Sequence, residues 1–370
     1  MHVITKDSLD QLIELLRDDG FETIGPTLDG GAIVYDRIES LKDLPVGLGE
    51  EQEAGTYRLK KRGDQALFGY ALGPTSWKKF LFPPSVKLWQ AERSQKGFRI
   101  EPEQTRKHKM AFLGVRPCEL HAIGIQDKVF LKGQHMDPHY QCRREDVLII
   151  AVNCTRPGGT CFCVSMATGP KAAAGFDLSL TEVLESGSHY FVVETATPRG
   201  EEILRKIPHE SAGESQVKTA DGLLDEAKGK MGRQMDTEGI RELLYQNAEH
   251  PQWEKIAQAC LSCANCTLVC PTCFCSSVED VTDVTGDHAQ RWRRWDSCFN
   301  LEFSYIHGGQ VRSSTKSRYR QWMTHKLAGW QDQFGTSGCV GCGRCITWCP
   351  VGIDITEELK NIRVQEKLGG

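Results

Sequence analysis

The sequence predicts an α+β protein in which N-terminal α/β modules precede a C-terminal helical domain organised by cysteine. Three observations carry this. Short apolar runs alternate with helical spacing through the first 200 residues. A charge-rich stretch of helical pattern follows. Then 11 of the 16 cysteines crowd into residues 259–370. A chain of 370 residues is long enough to bury more than one core. With 25% charged residues and a net charge of −4, it shows no pull toward nucleic acid or membrane. No run approaches the roughly 18 apolar residues that span a bilayer. The start, MHVITKDSLDQLIELLRDDG, lacks the apolar centre of a signal peptide, so a cytoplasmic location is expected. Thiols stay reduced there, and dense cysteine points to metal.

Residues 1–105 read as an α/β module. A helix is expected at Ser8–Arg17, then strands in GGAIVYDRI, GTYRLKK and QALFGYAL, separated by Gly/Pro turns. Residues 106–200 read as a second module with Cys-rich loops. MAFLGV and DVLIIAVN look like buried strands, LHAIGIQDKVFL like the helix between them, and the order suggests a parallel βαβ unit. FDLSLTEVL and HYFVVETA continue the strands. Residues 201–255 read as a helical connector, and 256–370 as the cysteine domain.

That domain contains one motif twice: CLSCANCTLVCP at 260–271 and CVGCGRCITWCP at 339–350. Both are C-x2-C-x2-C-x3-C-P. Three thiolates on one tight turn wrap a corner of a 4Fe–4S cube. The fourth, a helical turn further on, faces a second cube. The crossover rule assigns Cys260, Cys263, Cys266 and Cys349 to cluster 1, and Cys339, Cys342, Cys345 and Cys270 to cluster 2. Zinc ribbons are the alternative, but zinc has no use for the x3-C-P tail.

Cys118 follows one predicted strand. Cys154, Cys161 and Cys163 follow the next, in NCTRPGGTCFC. If the strands are parallel neighbours, the four thiols meet at their C-terminal ends, where sites form in open sheets. A third 4Fe–4S cluster is the expectation there, with buried inert thiols as the alternative. Cys273, Cys275 and Cys298 fit packing around the first cluster, another cluster or a thiol-redox pair. Cys142, in HYQCRRED, reads as an ordinary thiol. The stretch 291–326 holds eight Lys/Arg interleaved with aromatics. Compensation of anionic clusters, or subunit docking, explains it better than nucleic acid. No GxGxxG follows a strand and no GxxxxGK[ST] or HExxH exists, so no flavin, nicotinamide or nucleotide site is expected in this chain.

Across nearly the whole chain, the segments DGGAIVYDRI, ALGPTSWKKFLFPP, FLGVRPCELHAI, LIIAVNCTRPGGTCFCVSMATGP, CPTCFC and RRWDSC resemble one family. It comprises the 4Fe–4S β subunits of NAD(P)-linked NiFe hydrogenases (sulfhydrogenases) and the corresponding iron–sulfur subunit of anaerobic sulfite reductase. HGGQVRSS departs from that pattern. The wide gap between the motifs is similar to α-helical ferredoxin domains. The resemblance implies an electron-transfer subunit, non-catalytic itself. It would relay electrons between catalytic hydrogenase, or sulfite reductase, subunits on one side and a flavin/NAD(P)-binding reductase subunit on the other. A catalytic iron–sulfur disulfide reductase is the rival from another class.

Overall fold

The computed structural model describes residues 1–71, 73–103, 108–185 and 187–369. Its largest unit is an eight-stranded sheet. In spatial order the strands are Glu210–Ser211, His2–Thr5, Ser188–Thr195, Leu178–Glu185, Leu148–Val152, Met110–Val115, Glu22–Asp29 and Ala32–Arg37. The four running from Leu178–Glu185 to Glu22–Asp29 are parallel. Antiparallel pairs extend the sheet on both sides. Strands from segments 1–105 and 106–200 therefore share one sheet; the expected boundary between them, at 105/106, lies outside the described residues.

Met110–Val115 and Leu148–Val152 are buried at every position, as unbroken apolar text requires of central parallel strands. Helix Pro117–Leu131 and the shorter helix Pro138–Arg144 cross between them. The N-terminal helix spans Lys6–Asp18. The Thr5 hydroxyl caps it by accepting from the Ser8 amide at 3.2 Å. It buries Leu9, Leu12, Ile13 and Leu16 against the sheet.

QALFGYAL departs from expectation. Leu67, Phe68 and Tyr70 are buried but lie in no strand; Leu72 lies outside the described residues. Side chains replace the ladder. The Leu67 and Phe68 amides donate to the Glu182 carboxylate at 2.6 and 2.8 Å. The Arg116 guanidinium donates to the Phe68 and Tyr70 carbonyls, each at 2.8 Å. Buried main-chain groups must find partners, and here charged groups supply them. The apolar pattern reported burial correctly and could not report who would satisfy the backbone.

The C-terminal domain is also less purely helical than expected. Ser276–Thr282 and His288–Trp295 form a hairpin that pairs with Ser85–Ser94, beside Gly97–Pro102, in a four-stranded antiparallel sheet. Part of the basic stretch is this strand. Arg291 pairs with Asp280 at 2.6 Å, Arg294 with Glu279 at 2.9 Å, and Arg293 with Asp137. These cations are matched within the fold, so charge alone is a misleading guide to HAQRWRRW.

Helices Ile240–Gln246, Gln252–Ala259, Thr315–Thr324 and Ile355–Gly369 build a second core around Trp253, Tyr319, Trp322 and Leu359. Helix Glu214–Gly229 instead covers the large sheet through Ala220, against Val183 and Val192. The expected connector is thus divided between the two cores.

Candidate metal centres

The two motifs adopt one backbone shape. In the first, Ser262 and Ala264 take φ of 51° and 67°; in the second, Gly341 and Gly343 take 66° and 75°. Each left-handed pair precedes a single helical turn, Asn265–Leu268 or Arg344–Thr347. The bend turns amides back toward sulfur. Ser262 N–H donates to Cys260 Sγ at 3.4 Å, and Gly341 N–H to Cys339 Sγ at 3.5 Å. Such donors stabilise thiolate and raise cluster potential.

Cys260, Cys263, Cys266 and Cys349 line one hollow, with about 440 Å³ of empty space, walled by Phe299, Tyr319 and Trp322. Cys349 comes from the other motif, and its sulfur accepts from Ile353 N–H at 3.3 Å. Burial pushes the Cys260 and Cys266 thiols up, and the other thiols of this set add to it. Binding metal as thiolate removes that penalty.

Cys270 crosses in the other direction. It stands among Cys339, Cys342 and Cys345, whose buried thiols it helps push up. Its own thiol is held well below the ordinary range by the hydrogen bond from the Cys273 thiol, aided by Lys326, Thr272 and Lys78. Lys326 is buried and donates to Cys270 Sγ at 3.2 Å, Thr272 Oγ1 at 3.3 Å and the Gly338 carbonyl at 3.2 Å. It is carried on a π-helical turn, His325–Gly329, a distortion frequent at functional sites.

Cys118, Cys154, Cys161 and Cys163 line a third hollow, with about 360 Å³ of empty space, which Cys342 also borders. Cys118 sits in the first turn of helix Pro117–Leu131, and Cys154 just beyond Leu148–Val152. The parallel neighbours assumed from sequence are present, with Phe112 opposite Ile149. The loop that carries Cys161 and Cys163 locks onto the second motif. Phe162 N–H donates to the Gly341 carbonyl at 2.8 Å, Thr168 Oγ1 donates to the Val340 carbonyl at 2.6 Å, and Thr160 Oγ1 meets Thr347 Oγ1 at 2.7 Å.

All twelve expected ligand cysteines thus gather in three groups, each from separate segments. Among the described residues, no three His, Cys, Asp or Glu converge on a point as ligands of one metal ion do. The first and third groups face hollows, and their thiols, with the amide donors at Cys260, Cys339 and Cys349, fit a bulky inorganic core. Cys273, Cys275 and Cys298 line a further cavity. Cys142, on helix Pro138–Arg144, borders none of these three cavities.

Sequence reasoning missed the buried ion pair between Arg344 and Glu119, at 2.6 Å. Arg344 also donates to the carbonyls of Gly73 and Thr75, each at 2.8 Å. Glu119 accepts from Tyr35 Oη at 2.8 Å and Trp77 Nε1 at 3.0 Å. The pair pins the second motif to helix Pro117–Leu131. An arginine inside CGRC was the available signal, with nothing to name its partner.

Residues 259–353 match the family model described as a 4Fe–4S dicluster domain. The chain is also similar to sulfhydrogenase 2 subunit beta of Pyrococcus furiosus. The two are 29% identical over 328 residues, which covers 87% of this chain and 94% of the relative. No solved structure gives a significant match.

Proposed function

With residues 259–353 a 4Fe–4S dicluster domain and the chain a relative of a sulfhydrogenase β subunit, we propose that this protein is the iron–sulfur electron-transfer subunit of a cytoplasmic hydrogenase complex. Cys260, Cys263, Cys266 and Cys349 hold cluster 1. Cys339, Cys342, Cys345 and Cys270 hold cluster 2. Cys118, Cys154, Cys161 and Cys163 hold a third. The exchange of the fourth cysteine between the two motifs carries this reading, because zinc ribbons would have no reason to trade ligands.

The bound clusters supply one-electron steps between a flavin/NAD(P)-binding partner and a NiFe catalytic subunit. The chain's own residues tune and insulate them. The amides of Ser262, Gly341 and Ile353 donate to sulfur. Lys326 sets a buried cation against Cys270. Phe299, Tyr319 and Trp322 line the first set. Similarity to a sulfhydrogenase subunit favours a NiFe partner over a sirohaem partner. Among the described residues no helix is long and apolar enough to cross a membrane.

The test is anaerobic native purification with identification of the co-purifying subunits, joined to Cys263→Ala and Cys342→Ala. Each variant should lose about four iron atoms, one cube. Each should stop nicotinamide-linked turnover while dye-linked turnover of the catalytic subunit persists. Nicotinamide-linked turnover that survives either change would refute the relay.

A further inference from the structure

Besides Cys142, three cysteines remain outside the ligand sets: Cys273, Cys275 and Cys298. They border one cavity with about 860 Å³ of empty space, together with Arg312, His325 and Lys326. Cys275 and Cys298 reach it from opposite ends of the hairpin Ser276–Trp295, whose register sets Ser276 opposite Trp295. The Asp296 amide then donates to the Cys275 carbonyl at 2.9 Å, which draws the two segments together.

Cys275 and Cys298 belong to neither motif, and both border the same cavity at the foot of one hairpin. The Cys298 thiol and the Cys298 main-chain amide both hydrogen-bond to the Cys275 sulfur. The two thiols, drawn together at the foot of the hairpin, are placed to join.

We propose that Cys275 and Cys298 form a thiol–disulfide exchange site for low-molecular-weight anionic disulfides, in the cavity that Lys326 also lines. Cys275 is the attacking sulfur, since it receives both hydrogen bonds. They lower its pKa to about 7, with help from Lys326 and Lys78. A thiol with a pKa near ambient pH is the best placed to attack. Cys298 is the resolving thiol. The Cys275 thiolate attacks one sulfur of R–S–S–R, forming Cys275–S–S–R and releasing RS⁻. Cys298 gives up its proton and attacks the Cys275 sulfur, forming the Cys275–Cys298 disulfide and releasing a second RS⁻. Protons from the two cysteines convert both leaving groups to thiols. Two thiols are oxidised, one disulfide is reduced, and no other reactant enters. Arg312 and Lys326 on the cavity wall favour a negatively charged disulfide. The inference does not depend on which catalytic subunit the chain serves.

The experiment uses the intact, anaerobically prepared chain with its metal, exposed to glutathione disulfide, then digested and mapped by mass spectrometry. The native chain should show a Cys275–Cys298 disulfide. Cys298→Ser should trap glutathione on Cys275, at a rate on the order of tenfold above that at Cys142. Cys275→Ser should leave Cys298 unlabelled. Iron and sulfide per chain should be unchanged throughout. Loss of iron in either variant would show that these thiols hold metal and would overturn the proposal. So would a Cys275 no more reactive than Cys142. Neither result bears on subunit co-purification, so this proposal can fail without the relay failing.

Discussion

The two cysteine motifs share a backbone and differ in what surrounds them. The first places Ser262 and Ala264 in left-handed conformations that favour glycine; the second has Gly341 and Gly343 there. Packing explains the difference. A Cβ on Gly343 would meet the Thr160 carbonyl oxygen at 2.4 Å, and one on Gly341 would meet the Phe162 main chain at 2.6 Å. The second motif is clamped between the sheet and the third cysteine group. The first is bounded by side chains of the helical core and tolerates a Cβ. Two copies of one spacing can therefore carry unequal structural burdens, and the unequal residues mark which copy is buried in the assembly of domains.

Changes on the clamped side should cost most. Glu119→Ala leaves Arg344 charged and buried without its partner, and should destabilise by about 3–5 kcal/mol. Chemical denaturation would register this, with loss of cluster 2 before cluster 1. Gly343→Ala combines an unfavourable φ with a main-chain collision and should cost about 3 kcal/mol. The counterpart change at the first motif, Ala264→Gly, should shift stability by no more than about 1 kcal/mol in either direction. Thermal unfolding compares the two. Equal effects at 264 and 343 would remove this asymmetry between the motifs.

Lys326→Met tests the electrostatic side of the same contrast. Removing a buried cation 3.2 Å from Cys270 Sγ should lower the potential of cluster 2, by on the order of 60 mV, and leave cluster 1 nearly unmoved. Redox titration followed by electron paramagnetic resonance separates the two. The smallest effect is expected at Cys142→Ala, which should keep full iron content and stability within about 0.5 kcal/mol.

The parallel strands Met110–Val115 and Leu148–Val152 were legible because burial on both faces demands unbroken apolar text. The N-terminal helix was legible from its 3.6-residue stripe. QALFGYAL was misread as a strand for want of a distant partner: Glu182, 114 residues from Phe68, decides it. The strand His288–Trp295 was not read at all, because its pairing with Ser85–Ser94 lies far off in the chain.

Residue spacing alone specified the chemistry of residues 259–353. A cube needs three thiolates on one turn and a fourth beyond, and local chain geometry suffices to present them. Folding of the whole chain settled the remainder: the clamp on the second motif, the Glu119–Arg344 pin, the cation at Cys270 and the contact between Cys275 and Cys298. Each is an encounter between segments far apart in the chain, and such encounters depend on how the sheet and the helical core pack together, which no local pattern encodes.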